Sequence, residues 1–226
     1  MKRSEINALI KEAISFTDKM NFKLPPFAYW SPSDWADKGE EFDEIRDNML
    51  GWDITDFGSG DFEKIGLLLF TIRNGNGKNE KYKKTYAEKI LISDVGQVTP
   101  CHFHHSKMED IINRGGGELV IEVYNSTDDG ELDTTDVDIN MDGRRFKVKA
   151  GSQVRLKPGE SISIQQGMYH KFWAEGEKVL VGEVSMVNDD TADNRFYLPA
   201  GRFPEIEEDE APIHYLANEY PNKKTT

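Results

Sequence analysis

His102 and His104 stand one residue apart, and Glu109 follows five positions after the second of them. Imidazole nitrogen and carboxylate oxygen are donors that suit divalent transition ions. Alternate residues of a strand point the same way. His102 and His104 therefore share a face if the segment is extended, and a short connection brings Glu109 back beside them. Three of the five histidines in the chain lie in this stretch, and a fourth, His170, sits in a similar apolar, strand-like setting. His105 and Cys101 have the opposite strand parity and read as outward or packing residues. His214 reads as a surface histidine within the acidic tail.

The whole chain narrows the classes of partner. With 226 residues, a net charge of −13 and a pI near 4.9, it lacks the basic surface that a nucleic-acid backbone requires. Cys101 is the single cysteine, so no intramolecular disulfide forms, which fits a reducing compartment. The N-terminus is polar, without the apolar core of a signal peptide. No run approaches the ~18–20 apolar residues that span a bilayer. The expectation is a soluble cytoplasmic protein with neither a nucleic-acid nor a membrane partner.

The elements that position the candidate ligands are mostly strands. An amphipathic helix is expected over 4–20, capped by Ser4 and stopped by Pro25-Pro26, and a second short helix over about 33–49. From Phe62 onward short apolar segments follow one another between Gly, Pro and Asn turns. They include the run at 65–72, the hairpin signal Asp142-Gly143, and the segments around Val154, Ile162, Phe172 and Val181. Gly115-Gly116-Gly117 marks a turn or bulge. Closely spaced short strands without long helices between them mean a β-sandwich or closed barrel. The division expected is one domain, with an N-terminal helical extension (1–60), a β-barrel core (61–190) and a tail (191–226).

The spacing Gly96, five residues, His102-x-His104, four residues, Glu109, six residues, Gly116 resembles the first motif of the cupin superfamily. Gly151, Pro158-Gly159-Glu160 and Gly167-x-x-His170 resemble the second, with Gln165 and Gln166 in place of a frequent proline and Ala174 in place of a frequent asparagine. The resemblance implies an all-β fold, the cupin double-stranded β-helix or jelly-roll barrel, with the N-terminal helices and C-terminal tail packed on it. It also implies His170 as fourth ligand. Three imidazoles and one carboxylate leave two positions open on a six-coordinate ion, which suits Mn²⁺, Co²⁺, Fe²⁺ or Ni²⁺. Zn²⁺ is a further alternative, although its structural sites prefer thiolates.

Beyond these motifs the chain resembles the D-lyxose isomerases. The segments that carry the likeness are Leu24-Pro25-Pro26-Phe27-Ala28-Tyr29-Trp30, the stretch from Glu44 to Gly58, Glu109-Asp110-Ile111-Ile112-Asn113-Arg114-Gly115-Gly116-Gly117, and the stretch from Gly201 to Glu210. The resemblance implies a metal-dependent aldose–ketose isomerase, usually loaded with Mn²⁺, that interconverts D-lyxose and D-xylulose and often D-mannose and D-fructose. It also implies a homodimer. Such an enzyme moves one proton between adjacent carbons and another between their oxygens, while a metal with two open positions stabilises the enediolate.

Candidates for the proton transfers are Lys107, which shares the parity of Glu109 if that stretch is extended, and Glu183, a lone acid in an apolar strand. A charge such as Glu183 must face the cavity or pair with a buried partner, and both readings stand. Glu205 and Glu207 join them if the tail folds across the barrel mouth; otherwise the acidic run at 205–210 is solvated. Lys89 and Arg155, set among apolar neighbours, can bind sugar hydroxyls or be solvated edge-strand residues. Phe103, Tyr169, Phe172 and Trp173 read as core, with Phe172 the one assigned to the cavity wall. Competing functions on the same ligand set are an Fe(II) dioxygenase, a phosphosugar isomerase and a non-catalytic metal-dependent sugar-binding module.

Overall fold

The apolar run at 65–72 is too hydrophobic for a strand with one wet face, and the fold covers both of its faces. A computed structural model gives the fold and describes residues 1–189 and 192–221. Helix α1 (Arg3–Lys19) is followed by two short helices, α2 (Pro32–Trp35) and α3 (Asp43–Asp47). Strands β1 (Gly51–Thr55), β2 (Leu67–Arg73), β3 (Tyr86–Ser93), β4 (Thr99–His104), β5 (Glu109–Asn125) and β6 (Val137–Met141) come next. They are followed by β7 (Arg144–Val148), β8 (Ser152–Leu156), β9 (Ser161–Ile164), β10 (Met168–Met186) and β11 (Asn194–Phe196). The strands pair in the order β1-β2-β3-β10-β5-β9-β6-β7, with β8 on β5, β4 on β10 and β11 on β4. This is the expected all-β jelly-roll barrel with helices and tail packed against it. The sheet already begins at Gly51, and the tail adds β11 to it.

Parity sorts the apolar residues of β2 into two cores. Leu67 and Leu69 face the barrel interior with Leu91, Ile111, Ile121, Val179 and Val181. Leu68, Phe70 and Ile72 face outward against Ile6, Ile10 and Ala13 of α1, with Ile90 and Leu180 beside them. Each such side chain withdrawn from water stabilises the fold by about 1.5–3 kcal/mol, and α1 is what makes the outer set count.

Two local expectations are corrected. Helix α1 begins at Arg3, so Ser4 lies within its first turn and cannot cap it. The Lys2 N–H donates instead to Glu5 Oε2 at 2.7 Å. The tail completes the helix start: the Arg3 N–H donates to Glu207 O at 2.9 Å, and the Ser4 N–H and O–H donate to Asp209 at 2.9 and 2.7 Å. The buried Arg3 guanidinium is gripped by Glu208 at 2.7 Å and by Glu219. Carboxylates at the positive end of a helix dipole are favourable. The helix expected over 33–49 divides into α2, a single turn at Glu40–Phe42 and α3, because Gly39 is extended between them. Glycine inside a helix costs about 1 kcal/mol relative to alanine.

Strands β5 and β10 are bent so that each serves both walls of the barrel. The first residues of β5 pair with β9, and Leu119 to Val123 pair with β8. The register between β5 and β10 shifts between Glu175 and Val179 and again between Leu180 and Val181. At the bend Gly116 has φ +102, and a Cβ there would lie 2.0 Å from Lys178 O, so no other residue fits. Asn113 secures the bulge. Its Nδ2 donates to Gly117 O and Leu156 O, and its Oδ1 accepts from the Gly115 N–H. The bend allows one strand to pack as core at Ile121 and still deliver Glu109 to the cavity.

Candidate metal centre and active site

Register places the candidate ligands. Across the β4–β10 pair His102 lies opposite His170, and His104, two residues along β4, shares the face of His102. β5 opens with Glu109 after the turn that follows β4. The ligating nitrogens of His102, His104 and His170 all lie within 4.8 Å of one another. Glu109 Oε1 is 3.3 Å from His104 Nε2 and 3.2 Å from His170 Nε2. All four residues are buried.

The hydrogen bonds behind the rings set their tautomer. His102 Nδ1 lies 2.7 Å from Pro100 O, His104 Nδ1 2.8 Å from Asn194 Oδ1, and His170 Nδ1 3.1 Å from Met168 O. A carbonyl oxygen only accepts, so each Nδ1 carries the hydrogen and each Nε2 presents a lone pair. Burial first, and then the neighbouring imidazoles of His170 and His104, hold His102 well below the usual histidine range, so it is neutral. Burial opposes charge on Glu109, yet the Lys107 ammonium and His104 outweigh it and keep the carboxyl ionised. Three lone pairs and a carboxylate converge, and His170 Nε2 is buried without a hydrogen-bond partner. Such a cluster is costly unless a cation occupies its centre. The residues fit a divalent metal.

A second charged group abuts the first. Glu183 shares the inward parity of Val179 and Val181 on β10, and its register partner on β3 is Lys89. Lys107 Nζ lies 2.7 Å from Glu109 Oε2, 2.9 Å from Glu183 Oε1 and 3.1 Å from Asn188 Oδ1. Lys89 Nζ lies 3.4 Å from Glu183 Oε1 and 2.7 Å from Asn188 Oδ1. Lys107 does not sit on a strand: it belongs to the turn after β4, which Asp193 holds by accepting from the Ser106 and Lys107 N–H groups at 2.7 and 3.1 Å. Both readings of Glu183 hold together, since it lines the cavity and is ion-paired. Lys107 thus links the carboxylate beside the three histidines, Glu109, to a second one, Glu183.

The cavity around these groups is walled by Thr55, Phe57, Leu69, Phe172 and Phe196 and encloses about 570 Å³ counting its open mouth. Lys89 and Phe172 line it as expected. Arg155 does not. Val154 and Leu156 point into the barrel, so Arg155 between them points out, 42% exposed and paired with Glu118 and Glu175 at 2.7 and 2.6 Å. Glu205 and Glu207 are also outside the cavity, because their carbonyls accept from the N-terminal amine and the Arg3 N–H at 2.9 Å and tie the segment to α1. The tail does cross the mouth, but it brings Arg202 there instead.

Residues 1–220 match the family model described as D-lyxose isomerase. The chain belongs to the D-lyxose isomerase family. It is 48% identical over 223 residues to the D-lyxose/D-mannose isomerase of Escherichia coli O157:H7, covering 97% of this chain and 98% of the relative. The enzyme of the same name from Serratia proteamaculans is 48% identical over 224 residues, with the same coverage. Among solved structures, the L-ribose isomerase of Cellulomonas parahominis superposes with a TM-score of 0.61 at 16% identity, over 92% of this chain and 98% of that one. The L-ribose isomerase of Acinetobacter sp. DL28 superposes with 0.58 at 15% identity, over 88% and 93%. These two establish a shared fold. Family membership makes the chain a sugar isomerase.

Several residues around this candidate site of the D-lyxose isomerase family member carry no local sequence signal. Asn194 orients His104 across the β11–β4 pair, Phe196 stacks on His102 with ring centroids 5.3 Å apart, and Asp193 shapes the turn of Lys107. All three follow Asn188, where periodicity fades and no pattern marks a strand. Asp53 carried a usable signal, a lone acid between Trp52 and Ile54. Cys101, half-buried on β4 outside the ligand face, has its thiol pushed up to about 11 by burial, partly offset by Lys171. Alkylation of the native isomerase at pH 8 should therefore be at least ~10-fold slower than in the unfolded chain, since the thiolate is the nucleophile; equal rates by mass spectrometry would contradict this.

Proposed function

We propose that this enzyme interconverts D-lyxose with D-xylulose and D-mannose with D-fructose, loaded with Mn²⁺ and acting in the cytoplasm as a homodimer of single-domain subunits. The substrates follow the names of the relatives at 48% identity. One observation carries the chemistry: the converging lone pairs of three histidines and Glu109 lie against the buried Lys107–Glu183 pair.

His102, His104, Glu109 and His170 would hold a divalent cation, whose chemistry when bound is to stabilise negative charge developing on two adjacent sugar oxygens. The chain's own residues move the protons. Glu183, as carboxylate, removes the hydrogen from C2 of the open-chain aldose and returns it to C1. Lys107, as ammonium, gives a proton to O1 and recovers one from O2. Each group ends in the charge state in which it began, so turnover needs no co-reactant. Glu183 is buried between Lys89 and Lys107, which limits its contact with bulk water. Leu69, Leu91 and Ile111 supply the apolar surroundings.

The test is reconstitution. Metal-stripped protein reloaded with Mn²⁺ and offered free and phosphorylated aldoses without oxygen should form ketose from D-lyxose and D-mannose. Ketose from phosphorylated sugars alone, or oxygen consumption with Fe²⁺ in place of ketose formation, would defeat the assignment.

A further inference from the structure

Arg202 and Asp53 form a charge pair at the cavity mouth that the proton-transfer scheme does not use. Asp53 belongs to β1, where it shares parity with Thr55; their register partners Leu69 and Leu67 face the barrel interior, so Asp53 does too. It is buried to 7% exposure. Arg202 arrives from the tail, ion-paired to both Asp53 oxygens through Nη1 and Nη2, with its guanidinium 4.6 Å from the Phe203 ring. The tail is pinned there by the Gly201 N–H donating to Phe57 O at 2.8 Å.

Its position tells more than its partner. Arg202 lines the metal cavity and also a second, outer hollow, open to solvent and bordered by Thr71, Asn74 and Asn188. Lys107 borders both as well, but its ammonium is directed at Glu109 and Glu183, the reacting end. Arg202 is thus a cation placed where the inner cavity gives way to the outer one and turned away from the reacting end. An ion pair used only to close a barrel is a poor choice, since apolar side chains of similar volume close it at no greater cost. A planar fork of N–H donors at an opening suits hydroxyl oxygens.

The two aldoses proposed above share configuration at C2 to C4, and D-mannose adds one carbon at the far end. With the reacting carbons at the histidines, the added carbon lies towards the mouth. We propose that Arg202, positioned by Asp53, binds the far hydroxyls of the sugar and sets the preference between six-carbon and five-carbon substrates. This rests on the isomerase reading, whose own failure would show as a wild-type enzyme inactive on both sugars.

The decisive measurement is steady-state kinetics of the Mn²⁺-loaded Arg202→Gln enzyme on both sugars. kcat/KM should fall for each, and about ten-fold further for D-mannose, with the extra loss in KM and not in kcat. Binding of unreactive D-mannitol relative to D-arabinitol, read by calorimetry, should weaken in the same ratio. Arg202→Lys keeps the charge without the fork and should shift the ratio in the same direction by less. It also serves if the glutamine variant does not fold. Asp53→Asn should produce a smaller selective loss. Equal losses on both sugars, with an unchanged polyol ratio, would overturn the inference and leave Arg202 as a clamp on the tail. A wild-type enzyme that converts neither sugar would overturn it together with the reading beneath it.

Discussion

His170→Ala should leave a folded barrel that retains no stoichiometric divalent metal and loses more than ~10²-fold in turnover. Loss of an outer-shell partner to a ligand already costs ~10–100-fold in metal affinity or activity, and here a donor itself is removed. His105, the remaining histidine nearby, is exposed and meets Phe103 edge-to-face with centroids 4.9 Å apart. Among the described residues, no other histidine joins the cluster to replace the missing donor. Metal content measured after gel filtration, and the rise in melting temperature on adding Mn²⁺, report the effect without reference to catalysis. Mn²⁺ should raise the wild-type midpoint, because a ligand that binds only the folded state stabilises it, and should leave the variant's unchanged. A variant with full metal content would show that His170 is not a ligand. His104→Ala should behave alike.

The second large effect is expected at Glu183. Glu183→Gln keeps volume and one hydrogen-bonding oxygen but cannot take a proton from carbon, so kcat should fall by ~10²–10⁴-fold while bound metal stays stoichiometric. The substitution also leaves Lys89 and Lys107 without their shared carboxylate. Removing one partner of a buried ion pair costs about 3–5 kcal/mol, so the midpoint should drop as well, and the rate is to be taken on folded, metal-loaded enzyme. Exchange of the C2 hydrogen into deuterated solvent gives a separate readout, and Glu183→Gln should suppress it in parallel with ketose formation. Turnover within a few-fold of wild type would assign Glu183 to the ion pair alone. Lys107→Ala should keep the metal and lose ~10²-fold or more.

How much of this was legible depends on the range of the interaction concerned. The pair His102 and His104 could be read because strand parity is local, while Glu183 stood out only as a lone acid in an apolar strand, which leaves open whether it faces the cavity or a buried partner. The Asp142-Gly143 hairpin was legible for the same reason: both residues take positive φ, +50 and +79, between β6 and β7. Lys107 projects into the cavity from a turn and not from an extended segment, so strand parity does not account for its position. Arg155 shows the limit of composition. A charge among apolar residues can alternate outward just as easily as inward, and only the facing of Val154 and Leu156 decides which. Glu205 and Glu207 show another limit, because their placement depends on a helix start some two hundred residues earlier in the chain.

By itself the sequence determined the types and spacing of the candidate ligands, the strand-rich pattern around them and membership of a sugar-isomerase family. These are properties of residue chemistry and of neighbours a few positions apart. Only the tertiary structure decided that Asn194, Asp193 and Arg202 join the site and that the acidic run leaves it. Those assignments come from pairings between segments remote in the chain, β11 on β4 and the tail on α1. Such pairings are chosen by the burial and charge balance of the whole fold, and no local pattern records them.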